Sequence, residues 1–214
     1  HAIGASYKNK KIGSISDLAV FSFHPVKNIT TGEGGAILTN SEELYKKMKS
    51  FVVHGIHRTD FVKDSPGAWY HEMQELGMNY RLTDIQAALG ISQLKRLDIF
   101  LQKRVHLVER YNEAFKDIEQ LILPLLDTTD IKSAWHLYVI RLKGVLVQKR
   151  ADIFAFLREK GIWVQVHYIP VYYHPYYESL GYDKGLCPNA EAFYEASISI
   201  PLFPDLTESE QDVV

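Results

Sequence analysis

Short apolar runs alternate with amphipathic segments along the chain, and this pattern predicts alternating strands and helices. Strand-like runs fall at 18–23, 36–39, 135–142, 162–167 and 199–201. Helical periods fall at 41–50, 83–118, 150–160 and 189–197. Residues 54–80 show neither period and predict a loop with a turn at Pro66–Gly67. The order favours an α/β fold for the first part of the chain, and α/β or α+β for the second.

The longest periodic segment begins at Thr83, which forms a capping box with Gln86. Apolar residues then recur at steps of three and four as far as Phe115. This stripe predicts one helix over 83–118, about 50 Å long at roughly 1.5 Å per residue. A helix of that length exceeds the needs of one small core. We therefore expect three parts: residues 1–82 in a larger domain, 83–120 as a long connecting helix, and 121–214 as a small C-terminal domain.

Composition excludes several classes of protein. The 214 residues are 46% hydrophobic and 23% charged, as in ordinary globular proteins. The formal net charge of −2 gives no basic footprint for nucleic acid. No apolar run approaches the roughly 20 residues of a membrane helix. The single cysteine, Cys187, cannot form an intrachain disulfide and fits a cytoplasmic location.

Both ends of the sequence suggest an internal piece of a longer protein. The chain begins with His1 rather than Met, and Thr207 with Glu210 forms a capping box that predicts a helix. Only four residues follow Glu210. We expect sequence upstream of His1 and at least one further helix downstream.

The segment FSFHPVKNITTGEGG, residues 21–35, carries the clearest candidate chemistry. Lys27 follows a predicted strand and lies among hydroxyls and glycines. A solvated loop lysine is one interpretation. The other is a lysine that forms a Schiff base with pyridoxal phosphate, with Ser22 and backbone amides holding the phosphate. The glycines themselves favour a tight turn into the next strand, because neither GxGxxG nor a P-loop is present.

Other motifs point less directly to a site. The nine histidines form no HExxH or Cys–His pattern, so we expect no metal site. No GxSxG elbow supports Ser22 as a hydrolase nucleophile. His167 ends an alternating strand in VQVHYIPVYYHPYY and is a candidate for binding a sugar or nucleotide. Asn79 and Arg81 precede a helix start, where phosphate groups bind well.

Several separated segments resemble one family in its own order. SFHPVKNITTGEGG resembles the lysine segment of the DegT/DnrJ/EryC1/StrS sugar aminotransferases. HAIGASYKNKKIG, MNYRLTDIQAALGISQL, AWHLYVIRL, GIWVQVHYIPV and SIPLFPDLT resemble further segments of that family. The resemblance covers the whole chain. It implies fold type I, like aspartate aminotransferase, with 1–82 as the C-terminal part of the large domain that binds pyridoxal 5'-phosphate.

The resemblance also implies cofactor residues. Lys27 would form the Schiff base, Ser22 would bind the phosphate, and His1 would lie beside the pyridine ring or its phenolic oxygen. Asn79 would reach the phosphate of the neighbouring subunit's cofactor, so the active unit would be a homodimer. The family aspartate that binds the pyridine nitrogen lies three positions before the histidine matched by His1, and therefore outside this sequence.

The implied substrates are a nucleotide-sugar and an amino donor, with glutamate as the donor. His167 would face the nucleotide-sugar and Arg81 would contact its diphosphate. VHYIPVYYHPYYESLGY is most similar to members that aminate C4 of a UDP-linked 4-keto-6-deoxy-N-acetylhexosamine in pseudaminic acid synthesis. Other segments are equally similar to the aminoarabinose branch. A catalytically inactive nucleotide-sugar-binding module and a sugar dehydratase are the alternatives. Some family dehydratases replace the lysine by histidine, so Lys27 favours transamination.

Overall fold

The computed structural model describes residues 1–57, 67 and 69–214. Within it the chain divides into two compact units. The first unit consists of His1–Asp98 and Thr129–Ser133, and the second of Ile99–Thr128 and Ala134–Val214. None of the described helices is long and apolar enough to cross a bilayer.

Short strands and helices alternate along the described residues. The strands are β1 (Ser6–Tyr7), β2 (Lys10–Lys11), β3 (Ala19–Ser22), β4 (Gly35–Leu38), β5 (Ile56–His57), β6 (Glu72–Met73), β7 (Leu121–Ile122), β8 (Ile131–Lys132), β9 (Tyr138–Leu142) and β10 (Ser197–Ile200). The helices are α1 (Glu42–Phe51), α2 (Asp84–Leu94), α3 (Leu97–Phe115), α4 (Val145–Gln148), α5 (Arg150–Glu159), α6 (Pro175–Glu178), α7 (Pro188–Ala196) and α8 (Glu208–Gln211). A 3₁₀ turn spans Val171–Tyr173.

The first unit is built on small antiparallel pairings. The order β2-β1-β8 forms one sheet, and β3-β4 and β5-β6 form two-stranded pairs. β3 and β4 pair in a register that places Phe21 opposite Ala36. The sequence predicts a buried strand here, but Val20 in β3 is 75% exposed. Alternate side chains of a two-stranded pair point to opposite faces, and among the described residues only the Phe21 face is covered.

The second unit has a larger hydrophobic core. The sheet order is β10-β9-β7, with Ile198 opposite Ile140 and Leu121 opposite Leu142. Helix α3 packs Val108 and Tyr111 into the same cluster. Tyr138, Val164 and Ile198 are each 0% exposed there. β10 is an outer strand of this sheet, and all four of its residues are buried.

The prediction of one helix over 83–118 is wrong, because the helix is interrupted at Lys95 and Arg96. Arg96 N donates to Gln93 O at 3.0 Å, an i to i−3 bond that tightens the last turn of α2. α3 then starts at Leu97. Neither Gly nor Pro marks the break, and the apolar spacing continues across it. Periodicity alone therefore could not reveal it.

The predicted strand at 162–167 reduces to a single bridge between Gln165 and Ser199. Val164 N donates to the nearby Ile162 O at 2.9 Å, and Arg158 Nε donates to Val164 O at 3.1 Å. Those backbone groups are therefore not available to a strand partner.

Several other predicted features agree with the structure. Ser41 caps α1 by accepting from Leu44 N, and Gly161 follows α5 with φ of 81°. The capping boxes of Thr83 and Thr207 are both present. The prediction of a loop over 54–80 is wrong in part, because β5 pairs with β6. Pro66, at the predicted turn, lies outside the described residues.

Candidate active site

Residues 23–34, named here the lysine loop, connect β3 to β4. Phe23 N donates to Gly34 O at 2.8 Å, and Thr31 N donates to Phe23 O at 3.0 Å. Thr30 Oγ1 donates to the same Phe23 carbonyl at 3.0 Å. These bonds close both ends of the loop and hold Lys27 in its middle.

The interior of the lysine loop is packed. Asn28, Ile29 and Thr31 are 5%, 3% and 3% exposed. Gly34 has φ of 144°, and a Cβ built on it would lie 2.5 Å from Thr31 Oγ1. Only glycine fits this position, so the glycines of GEGG shape the turn into β4, as the sequence indicates.

Lys27 and His1 lie in direct contact, although 26 positions separate them in the sequence. Lys27 Nζ is 2.7 Å from His1 Nε2. The fold of the first unit therefore places a primary amine next to an imidazole.

Ser22 lies at the last pair of the β3–β4 hairpin, opposite Gly35. Its side chain is exposed, and its Oγ accepts a long bond of 3.4 Å from His24 N. The hydroxyl thus stands at the start of the lysine loop with a backbone amide beside it. Such a pair suits an anion such as a phosphate.

Asn79 and Arg81 lie in the segment that leads into α2. The Asn79 backbone forms a bridge with Val53. Both side chains are exposed, and among the described residues neither forms a side-chain hydrogen bond or ion pair. The structure therefore does not bring them into hydrogen-bonding contact with Lys27, His1 or Ser22 in this chain.

Helix α2 is joined to the lysine loop through Gln86. Its Oε1 accepts from Thr83 N at 3.0 Å, and its Nε2 donates to Glu33 O at 2.9 Å. One side chain therefore caps the helix and fixes the loop. The sequence shows the capping box but not this second bond, because the two partners lie 53 positions apart.

His167 lies in the second unit and is half-buried. Its Nδ1 is 2.7 Å from Ser199 Oγ in β10. The Tyr168 ring meets the imidazole edge-on with centroids 4.5 Å apart. The sequence interpretation selected His167 but did not identify Ser199. A signal was available, because the two serines of SISI alternate with isoleucines in an otherwise apolar run.

The loop that follows His167 is ordered by its tyrosines. Tyr172 OH donates to Glu191 Oε1 at 2.7 Å and accepts from Cys187 N at 3.2 Å. Burial, followed by the bond to Glu191, raises the pKa of Tyr172 to about 12. The Tyr172 hydroxyl therefore stays protonated at neutral pH and acts as a structural donor.

No group of three or more His, Cys, Asp or Glu side chains in the described part of the chain is placed to hold a metal ion. The residues around Lys27 do fit pyridoxal phosphate. They offer a primary amine, an imidazole in contact with it, and a hydroxyl next to a backbone amide. An aldehyde and a phosphate are the groups that such donors bind.

Comparisons with known proteins match the chain along its whole length. Residues 1–214 match the model of the DegT/DnrJ/EryC1/StrS aminotransferase family. A Helicobacter pylori protein named UDP-4-amino-4,6-dideoxy-N-acetyl-beta-L-altrosamine transaminase is 40% identical, over 100% of this chain and 55% of its own length. The chain spans about half the length of the curated relatives that it matches.

Two solved structures match the fold closely. Helicobacter pylori PseC, described as an aminotransferase of pseudaminic acid biosynthesis, gives a TM-score of 0.90 at 39% identity, covering 99% of this chain and 55% of that one. The Streptococcus pneumoniae sugar aminotransferase Spr1654 in its PMP form gives 0.92 at 35% identity, covering 99% and 54%. Spr1654 was also solved in a PLP form. The predicted fold class, α/β of fold type I, is confirmed.

Proposed function

Because the chain belongs to the DegT/DnrJ/EryC1/StrS aminotransferase family, we propose that the protein containing it is a sugar aminotransferase that depends on pyridoxal phosphate. The single observation that carries this proposal is the contact of 2.7 Å between Lys27 Nζ and His1 Nε2. A lysine that serves as a nucleophile and then as a proton carrier must have its amine held in a fixed position, and the contact with His1 supports this role for Lys27.

Each residue of the first unit has a role in this proposal. Lys27 Nζ holds the cofactor and, when free, moves the proton at the reacting carbon. His1 Nε2 orients that amine. Ser22 Oγ binds the cofactor phosphate at the start of the lysine loop. The cofactor supplies an electron sink, and the protein supplies orientation and charge.

The substrate is a UDP-linked 4-keto-6-deoxy-N-acetylhexosamine, aminated at C4 with glutamate as the donor, in synthesis of a cell-surface amino sugar. The name of the Helicobacter pylori relative supports this class. His167 faces the nucleotide-sugar and Arg81 contacts its diphosphate. An aminoarabinose-type or dTDP-linked sugar is the alternative substrate.

The active unit is a homodimer in the cytoplasm. Asn79 and Arg81 are exposed, which suits residues that act on the cofactor phosphate and the substrate of a neighbouring subunit. Cys187 is an exposed free thiol, and such a thiol suits a reducing compartment.

The Lys27→Ala variant of the full-length protein tests the function. We expect it to lose the visible absorbance of the lysine-bound cofactor, and its turnover to fall by about 10²- to 10⁴-fold or more. Turnover is measured as 2-oxoglutarate released from glutamate and the UDP-4-keto sugar. Lys46→Ala removes an exposed lysine paired with Glu42 on α1 and should change neither property. Retained turnover in the Lys27 variant would refute the proposal.

A further inference from the structure

The His167 imidazole is held from one side by a buried serine. Ser199 is 4% exposed, and its Oγ lies 2.7 Å from His167 Nδ1. The Ser199 backbone is fixed by two bonds with Gln165, of 2.7 and 3.0 Å. These two bonds therefore fix the backbone position from which the Ser199 side chain reaches the imidazole.

The direction of this hydrogen bond follows from the serine. A hydroxyl carries one proton, and a buried proton needs an acceptor. Among the described residues, His167 Nδ1 is the only hydrogen-bond partner of Ser199 Oγ. If Nδ1 carried the imidazole proton, the serine proton would be buried without an acceptor. Ser199 therefore donates to Nδ1, and the proton of the neutral ring lies on Nε2.

We propose that Ser199 is a positioning residue that holds His167 as the Nε2-protonated tautomer, so that Nε2 donates to an oxygen of the bound nucleotide-sugar. This inference rests on the proposed function for its ligand. Phosphate oxygens only accept hydrogen bonds, and sugar hydroxyl and carbonyl oxygens can accept them. The opposite tautomer would offer Nε2 as an acceptor and would not bind a phosphate oxygen.

The tautomer can be measured without a variant of Ser199. In full-length protein labelled with ¹⁵N-histidine, the two ring nitrogens of His167 are read from their chemical shifts. The His167→Gln variant identifies the resonances by their loss. We expect a protonated Nε2 and an unprotonated Nδ1 at neutral pH. A protonated Nδ1 in the unmodified protein overturns the proposal.

Ser199→Ala then tests the consequence for binding. We expect the preference of His167 for the Nε2-protonated tautomer to weaken, and the Kd for the nucleotide probes to rise on the order of tenfold. The probes are UDP and UDP-N-acetylglucosamine. If Ser199→Ala weakens the binding of both probes, the oxygen that accepts from His167 lies on the diphosphate. If it weakens the binding of UDP-N-acetylglucosamine alone, that oxygen lies on the sugar. Ser199→Thr keeps the hydroxyl and should restore both properties.

Ser197→Ala is the matched control. Ser197 lies in the same strand, is 0% exposed, and donates to Tyr194 O rather than to His167. Its removal should leave the His167 shifts and the Kd unchanged. Unchanged affinity in Ser199→Ala overturns the positioning role. Failure of glutamate to alter the cofactor spectrum of the unmodified protein would instead overturn the proposed function, and it would not affect the tautomer measurement.

Discussion

Two tyrosine rings lie side by side in the core of the second unit, but their hydroxyls differ in hydrogen bonding. The rings of Tyr111 and Tyr138 have centroids 5.0 Å apart. Tyr111 OH donates to Pro201 O at 2.9 Å, whereas Tyr138 OH is buried and has no partner in the described structure. An unpaired buried hydroxyl is a cost, because it has lost its bonds to water.

Tyr138→Phe should therefore stabilise the protein by about 1 kcal/mol. Tyr111→Phe is the matched control and should destabilise it by a similar amount, because it leaves the Pro201 carbonyl unpaired. Urea unfolding of the full-length protein measures both. A loss of stability in Tyr138→Phe would show that its hydroxyl has a partner.

The pH dependence of this effect has a definite sign. Burial raises the pKa of Tyr138 in the folded state. Above the usual tyrosine pKa of about 10, the unfolded chain loses this proton while the folded chain keeps it, so stability falls as pH rises. Tyr138→Phe removes that loss, and its stability advantage over the unmodified protein should therefore grow above pH 10.

At the scale of the residue, the sequence was informative about identities and uninformative about contacts. Lys27 could be selected by its neighbours and by family resemblance. Its contact with His1 could not be derived from spacing, since it joins residues 26 positions apart. Ser199 was missed because the alternation in SISI marks the serine but not its partner His167, which lies 32 positions away.

Gln86 links two elements, helix α2 and the lysine loop. Thr83→Ala removes only the helix cap and should cost about 1 kcal/mol. Gln86→Ala removes the acceptor of the Thr83 N–H and also the bond to Glu33 O. It should therefore lower the free energy of unfolding by about 1 kcal/mol more than Thr83→Ala does. The urea midpoint of the full-length protein reports both effects. Gln102→Ala, at an exposed position of α3, is the control and should have little effect. Equal midpoints for Thr83→Ala and Gln86→Ala would contradict the link.

For helices and strands, the start of a helix was easier to predict than its uninterrupted length. Ser41, Thr83 and Thr207 all begin helices as expected, because their signal lies within four residues. The break at Lys95 could not be predicted, since a single i to i−3 bond ends α2 without a glycine or proline. The strand predicted at 162–167 does not form, because the Arg158 side chain of the preceding helix donates a hydrogen bond to the Val164 carbonyl.

At the scale of the whole molecule, the proposed homodimer has a consequence for which residues cooperate. Lys27 and His1 meet within one chain. Asn79 is exposed and makes no side-chain hydrogen bond in the described part of its own chain. If Asn79 serves the neighbouring subunit, a mixed dimer of a Lys27 variant and an Asn79 variant carries both changes in the same active site. One of its two sites then remains intact.

Mixing Lys27→Ala and Asn79→Ala proteins should therefore restore activity, measured at a cofactor concentration where each alone is inactive. With random pairing half of the dimers are mixed, and each has one intact site of two, so about a quarter of the unmodified activity is expected. Lys27→Ala mixed with His1→Ala is the control. Each chain supplies both of these residues to its own site, so both sites of that mixed dimer are damaged and no activity should return. If the mixture of Lys27→Ala and Asn79→Ala proteins stays inactive, Asn79 does not act on the cofactor of the neighbouring subunit.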